Sequence, residues 1–317
     1  MKVPVIIDTN LTEDFALGLM AAVQSDQLDI LGITVTFGET SVDCAAANTT
    51  GLLNLLGRKI PVAQGAEKPW RRDYTMPLKE MFLNQEINGL QIETDRADGI
   101  LEEFAPDFQY RLMKECGQKV TLLCAGPLTN IAYLLERHPD ALEYIDQLIW
   151  RGGTQRHAVM DVVKDMQTYQ DPDAAARVLS SGMKIVLCPV DMGFSFYASQ
   201  EEIDRGMGFQ DTARHQYNRL LKKRWCEVNA ELPMGCRTRP LPLQELASVF
   251  YLTNPELFSE RRIYGEVDLK GKLTFGMLVI DIKNRLEKKP EEWNLLWLNG
   301  VDREAAVQHL YWEDESK

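Results

Sequence analysis

Apolar and polar positions follow one another along this chain in a repeated succession of short β-type runs and helix-type repeats. Val3, Val5, Ile6 and Ile7 form an apolar run that breaks into a polar turn holding Asp8, Asn10, Glu13 and Asp14. Phe15, Leu17, Leu19, Met20 and Val23 then recur at helical spacing, which predicts a helix to Val23. Leu28–Phe37 is rich in β-branched residues and predicts a buried strand. An Ala/Leu-rich helix is expected over about 43–57, a short strand at Ile60–Ala63, and a loop over Gly65–Asp73. Residues 74–95 have mixed polarity and an Asn88-Gly89 pair, and predict an irregular segment or lid. A helix over 96–116 leads to a strong strand at Lys119–Cys124, and Pro127 with Thr129-Asn130 starts the next helix.

Leu148–Arg151 predicts a strand closed by Gly152-Gly153, and Asp171-Pro172-Asp173 caps a helix that stops at Gly182. Lys184–Val190 is a sixth strand; residues 200–232 form a long helical region, and Leu246–Phe258 a further helix. Ile263–Glu266 and Lys270–Ile282 predict β structure, and a last amphipathic helix covers about 302–312. Alternating strands and helices imply a mostly parallel central sheet covered on both faces, an α/β fold. No repeat or linker interrupts residues 1–317, so one domain is expected, with an extra helical lid region in its C-terminal half.

Composition narrows the function classes. The apolar fraction of 45% and charged fraction of 26% are those of a globular protein. No apolar run approaches the roughly 18 residues of a membrane span, so no membrane partner is expected. The chain enters its first strand at Val3, which leaves no room for a signal peptide, and a cytoplasmic location is expected. A net charge of −12 argues against nucleic acid, which calls for clustered Lys and Arg. The six cysteines form no CxxC pair, and no two of the four histidines stand at metal-ligand spacing.

The order of landmarks resembles the inosine–uridine-preferring nucleoside hydrolase family over nearly the whole chain. Asp8-Thr9-Asn10 with Asp14-Phe15-Ala16-Leu17 is similar to that family's DTDPGxDDAxA motif. Leu31-Gly32-Ile33-Thr34 with Gly38-Glu39-Thr40 looks like its GIT…GN segment, and Ala125 to Asn130 matches its GPLTN. Arg151-Gly152-Gly153 stands where the family has MGG, and Asp165-Met166-Gln167 with Asp171 to Ala175 matches EFN…DPEAA. Leu243-Gln244-Glu245-Leu246-Ala247 and Asn254 to Leu257 follow HDPLA…DPEL.

The resemblance implies cleavage of the N-glycosidic bond of ribonucleosides, with calcium as the family ion presenting a water to an oxocarbenium-like ribosyl centre. Its metal carboxylates fall on Asn10, Phe15 and Gln244, so the resemblance is to a divergent member with a degenerate metal site, and no cofactor is expected. Asn10 cannot act as a base, because an amide accepts no proton near neutral pH. A shift of one residue would instead bring Glu13, Asp14 and Glu245 onto those positions; the ungapped register is preferred because it keeps Ala16 and Leu17 matched. Asp8 and Asp14 are the expected catalytic residues, and Asn10, Glu39, Arg151, Asp165, Gln167 and Gln244 the substrate-binding ones. Gln85 falls on the histidine of the family's HGxDG loop. The guanidinium of Arg151 can stand among these carboxylates in place of a cation. Two readings stay open: a divergent N-glycosidase, or a catalytically inactive nucleoside- or sugar-binding protein. In either, the partner is a small nucleoside-like or sugar ligand and the assembly a homodimer or homotetramer.

Overall fold

The computed structural model describes residues 2–73, 99–155, 165–206, 211–230 and 239–310, without the side chains of residues 13, 14 and 211–214. The N-terminal half alternates strand and helix: β1 (Val3–Thr9), α1 (Glu13–Gln24), β2 (Leu28–Val35), α2 (Val42–Leu55), β3 (Val62–Gln64), β4 (Ile100–Leu101) and α3 (Ala105–Cys116). Next come β5 (Val120–Ala125), α4 (Thr129–Arg137), β6 (Ile145–Arg151), α5 (Met166–Gln170), α6 (Pro172–Leu179) and β7 (Ile185–Cys188). Beyond these lie β8 (Tyr197–Ala198), α7 (Gln200–Arg205), α8 (Asp211–Asn229), β9 (Leu241–Pro242) and α9 (Gln244–Thr253). The chain then adds β10 (Phe258–Val267), β11 (Leu278–Asp281), β12 (Leu295–Val301) and α10 (Arg303–Leu310).

Ten strands form one sheet in the order β11-β10-β12-β7-β6-β5-β1-β2-β3-β4. The pairings from β4 across to β12 are parallel, and β10 and β11 are joined antiparallel at the far edge. Both faces are covered, as continuous apolar strands require. Val5 and Ile7 of β1 face α1, α2, α8, α9 and α10. Ile6 on the same strand faces the opposite layer, with Met113 of α3, Leu134 and Leu135 of α4 and Val178 of α6. The period-2 alternation of β1 therefore sends Asp8 toward the α3 and α4 layer.

The sequence reading differs from the structure in several places. The helix expected over 96–116 starts only at Ala105, after the two-residue strand β4. Pro106 suits the first turn of α3, where no N–H partner is needed. The helix expected over Leu246–Phe258 covers Gln244–Thr253, because Asn254-Pro255 ends it and Phe258 opens β10. The helical region expected over 200–232 holds α7 and α8. The strand β12 and the small β8–β9 ladder went unpredicted, since short apolar runs carry too few periods to classify. The 74–95 segment lies outside the described residues.

Candidate active site at the carboxyl edge of the sheet

Strands β2, β3 and β4 are laid down on one side of β1, and β5 returns to the other, so the strand order reverses between β1 and β5. The carboxyl ends of two such strands have connections that diverge, which opens the crevice where α/β proteins hold ligands. Thr9 pairs with Ala125 at that point. One residue earlier, Asp8 is fully buried. Its Oδ1 accepts from Thr34 Oγ1 at 2.6 Å, Asn130 Nδ2 at 2.7 Å and Gln109 Nε2 at 3.4 Å. Its Oδ2 has no hydrogen-bond partner among the described residues. Burial raises the Asp8 carboxyl to about 7, against the opposing pull of the Asn130 and Thr34 hydrogen bonds.

Asn130, at the start of α4, stitches four segments together. Its Nδ2 also donates to the Val35 carbonyl at 3.2 Å, and its Oδ1 accepts from Ala66 N–H at 2.9 Å. Gln109 reaches the cluster from α3 and donates to Thr34 Oγ1 at 2.8 Å. Asn10 lies just beyond β1 and is buried. In the amide orientation that gives both ends a partner, its Nδ2 donates to the Ala125 carbonyl at 3.1 Å and its Oδ1 accepts from Glu39 N–H at 3.1 Å. The turn carrying Glu39 passes so close that a Cβ on Gly38 would collide with the Asn10 amide. Glycine is required there by space. Glu39 itself is half-buried.

A second polar group sits across the edge, on β6 and α9. Arg151, the last residue of β6, forms an ion pair with Glu245 in the first turn of α9. Their side chains are 12% and 8% exposed, so the pair is largely out of water. Gln244, one residue earlier, is directed elsewhere: its Oε1 lies where a Cβ on Gly193 would come within 2.7 Å, beside Pro242. Phe15 is buried in the core and packs at the α1–α9 contact, where a Cβ on Gly18 would meet both its ring and the Glu245 carbonyl.

The remaining expected residues take different places. Asp165 is buried and caps α5, with Oδ1 accepting from Thr168 N–H at 3.0 Å and Oδ2 from the Thr168 hydroxyl at 2.7 Å. Gln167 is buried with its Oε1 unpartnered among the described residues. Asp14 is in the first turn of α1, and its side chain, like Gln85 as a whole, lies outside the described residues. Glu245, expected at the site only on a shifted register, is the residue that meets Arg151, and Gln244 does not. The sequence reading also missed the Thr34–Gln109 support of Asp8. The available signal for Gln109 was a lone amide on the apolar stripe of Ala105, Phe108 and Met113.

A doubly covered parallel sheet with a buried carboxylate, Asp8, at its topological switch is the arrangement in which α/β proteins hold small ligands at their strand ends. The chain belongs to the inosine–uridine-preferring nucleoside hydrolase family, whose sequence profile matches residues 5–308. A pyrimidine-specific ribonucleoside hydrolase, RihA, of Shewanella woodyi is 28% identical over 327 residues, which span 98% of this chain and 97% of that protein. An inosine–guanosine nucleoside hydrolase shares the fold at a TM-score of 0.83, with 21% identity over 97% of each chain. A purine-preferring ribonucleoside hydrolase from Gardnerella vaginalis does so at 0.81, with 21% identity over 97% of this chain and 96% of that one.

Family membership corrects one expectation. The members are calcium-dependent nucleoside hydrolases, so the expectation of no cofactor does not stand. The donor set described here does not itself fit that ion. Phe15 brings no oxygen, Asn10 and the Ala125 carbonyl hydrogen-bond one another, and Glu245 is engaged by Arg151. Among the described residues no three His, Cys, Asp or Glu side chains converge on a metal position. Among the same residues no helix is long and apolar enough to cross a membrane.

Proposed function

We propose that this chain hydrolyses the N-glycosidic bond of a ribonucleoside in the crevice at the carboxyl ends of β1 and β5. The observation that carries the reading is Asp8: a buried strand-end carboxylate at the switch point, held through one oxygen and unpartnered at the other. Raised to about 7, it exchanges a proton near neutrality, where acid–base groups work best. In the proposed reaction a water attacks the anomeric carbon as the bond to the base nitrogen breaks. Asp8, with Asp14 as the second carboxylate, takes the water's proton directly or through one further water, and the departing nitrogen is protonated in turn. Free sugar and free base result.

Gln167, with its unsatisfied carbonyl, and Asn10 are placed in the role of holding ribose hydroxyls; Asp165 fixes the turn that presents Gln167. Glu39 and Arg151 form the rest of the proposed lining, and Gln244, directed toward Gly193, stands outside it. The pyrimidine-specific relatives make a pyrimidine ribonucleoside the first substrate to try. The resemblance further supports a homodimer or homotetramer acting in the cytoplasm.

The test is release of reducing sugar from a panel of purine and pyrimidine nucleosides by the wild-type chain, with Asp8→Asn and Asp14→Asn alongside. Release by the wild type that both changes abolish is the expected result. Release indifferent to both changes overturns the assignment of these residues. Tight nucleoside binding without release establishes the second reading, an inactive binding protein, which the replacements at Asn10 and Phe15 favour.

A further inference from the structure

A cleft of about 500 Å³ lies between the C-terminal end of α7 and the first half of α8, apart from the β1–β5 crevice. His215, Asn218, Arg219 and Lys222 of α8 line it at i, i+3, i+4 and i+7, one face of the helix, and Arg205 of α7 closes on them from the other wall. Among the described residues no apolar side chain lines it. Arg219 and Lys222 form no ion pair among the described residues, and Arg205 meets only the exposed Glu201, at 3.5 Å. The end of the cleft is tightly built: Gly206 turns at a φ of +79°, and a Cβ there would come within 2.8 Å of Asn218 Nδ2.

Two cations without an ion pair among the described residues, Arg219 and Lys222, and a third, Arg205, paired only with the exposed Glu201, outnumber the single Asp204 carboxylate of this cleft on a chain of net charge −12, whose overall field repels anions. Guanidinium and ammonium groups together recognise phosphate, the former by paired N–H donors. The same cleft holds two acceptors, the Asp204 carboxylate and Gln216, whose buried Oε1 has no partner among the described residues. A bare anion leaves both acceptors idle, whereas a ligand carrying hydroxyls beside its phosphate satisfies them. We propose that this cleft binds a phosphorylated sugar, free or as a nucleoside monophosphate, with Arg205, Arg219 and Lys222 on the phosphate and Asp204 and Gln216 on ligand hydroxyls. The site is independent of the hydrolytic reading, because nothing in it belongs to the β1–β5 crevice.

The experiment is calorimetric titration of the full chain with ribose 5-phosphate and uridine 5′-monophosphate. Ribose, uridine and inorganic phosphate are the comparison arms, and all five are repeated on an Arg219→Ala/Lys222→Ala variant. At least one phosphate ester is expected to bind about tenfold or more tighter than both its parent and inorganic phosphate. That preference disappears in the double variant, whose thermal melting and basal nucleoside cleavage stay as in the wild type. Which ester binds better identifies the source of the phosphate. The proposal is overturned if ester and parent bind alike, if inorganic phosphate matches the esters, or if the variant keeps wild-type affinity. It is equally overturned if Arg219→Glu/Lys222→Glu alters the oligomeric state while no ester binds, since the cleft is then a contact between copies. Binding is read without turnover, so an inactive enzyme leaves the outcome intact.

Discussion

The two sides of the carboxyl edge hold their buried carboxylates in opposite ways. On the β1 side, Asp8 is surrounded by neutral donors, the Thr34 hydroxyl and the Gln109 and Asn130 amides, and none of them carries a compensating charge. On the β6 side, Glu245 meets the full charge of Arg151. A carboxylate held by neutral donors is left to pay its desolvation by taking up a proton, and Asp8 is accordingly raised to about 7. A carboxylate matched by a guanidinium is tied structurally, at the cost of making each partner depend on the other. The first arrangement suits proton exchange. The second suits bracing, here of α9 against the end of β6.

The largest expected effect comes from removing the titrating side. Asp8→Asn is expected to lower kcat/KM for nucleoside cleavage by about 100- to 10,000-fold, the usual contribution of a general base. Its stability should change in the reverse sense. Asp8 titrates at 3.8 when unfolded and about 7 when folded. Its contribution is therefore fully present below pH 3.8 and is lost as pH rises through about 7. Denaturant melts of Asp8→Asn should gain on the wild type between pH 4 and 8, by on the order of a few kcal/mol. An equal offset at every pH would place the Asp8 titration elsewhere.

On the braced side, Arg151→Met alone should cost about 3–5 kcal/mol of unfolding free energy, because it strands the Glu245 charge. Arg151→Met with Glu245→Leu should recover most of that loss, and a double-mutant cycle in denaturant measures the coupling. A smaller effect is expected for Asn130→Ala, about 1–3 kcal/mol, since it strips partners from Asp8, Val35 and Ala66 together. It should also raise the Asp8 titration further, readable by carboxyl NMR. Thr34→Val is the mildest probe, expected to cost about 1 kcal/mol in melts.

These contrasts were unequally legible in the sequence. The strand-to-helix succession and the family's landmarks placed Asp8, Asn10 and Arg151 at strand ends, because apolar periodicity and position along a parallel sheet are local properties. What Asp8 touches was not legible. Its partners Thr34, Gln109 and Asn130 stand 26, 101 and 122 residues away and meet only through tertiary packing. Asp165 illustrates the converse. A carboxylate before a short helix serves its own Thr168 as readily as a ligand, and the hydrogen bonds go to Thr168. Gln244 and Glu245 show how one residue of helix phase, about 100°, decides which side chain meets Arg151.

The most direct test of Asp8 as the titrating group is the pH dependence of kcat/KM for sugar release, wild type against Thr34→Val. Thr34 donates to Asp8 Oδ1 at 2.6 Å and thereby holds its carboxyl down, so removing the hydroxyl must push the titration upward. The account predicts a rise in rate through pH 7 in the wild type and the same rise displaced to higher pH in Thr34→Val. Superimposable profiles, or a wild-type rate flat between pH 6 and 8, would contradict it.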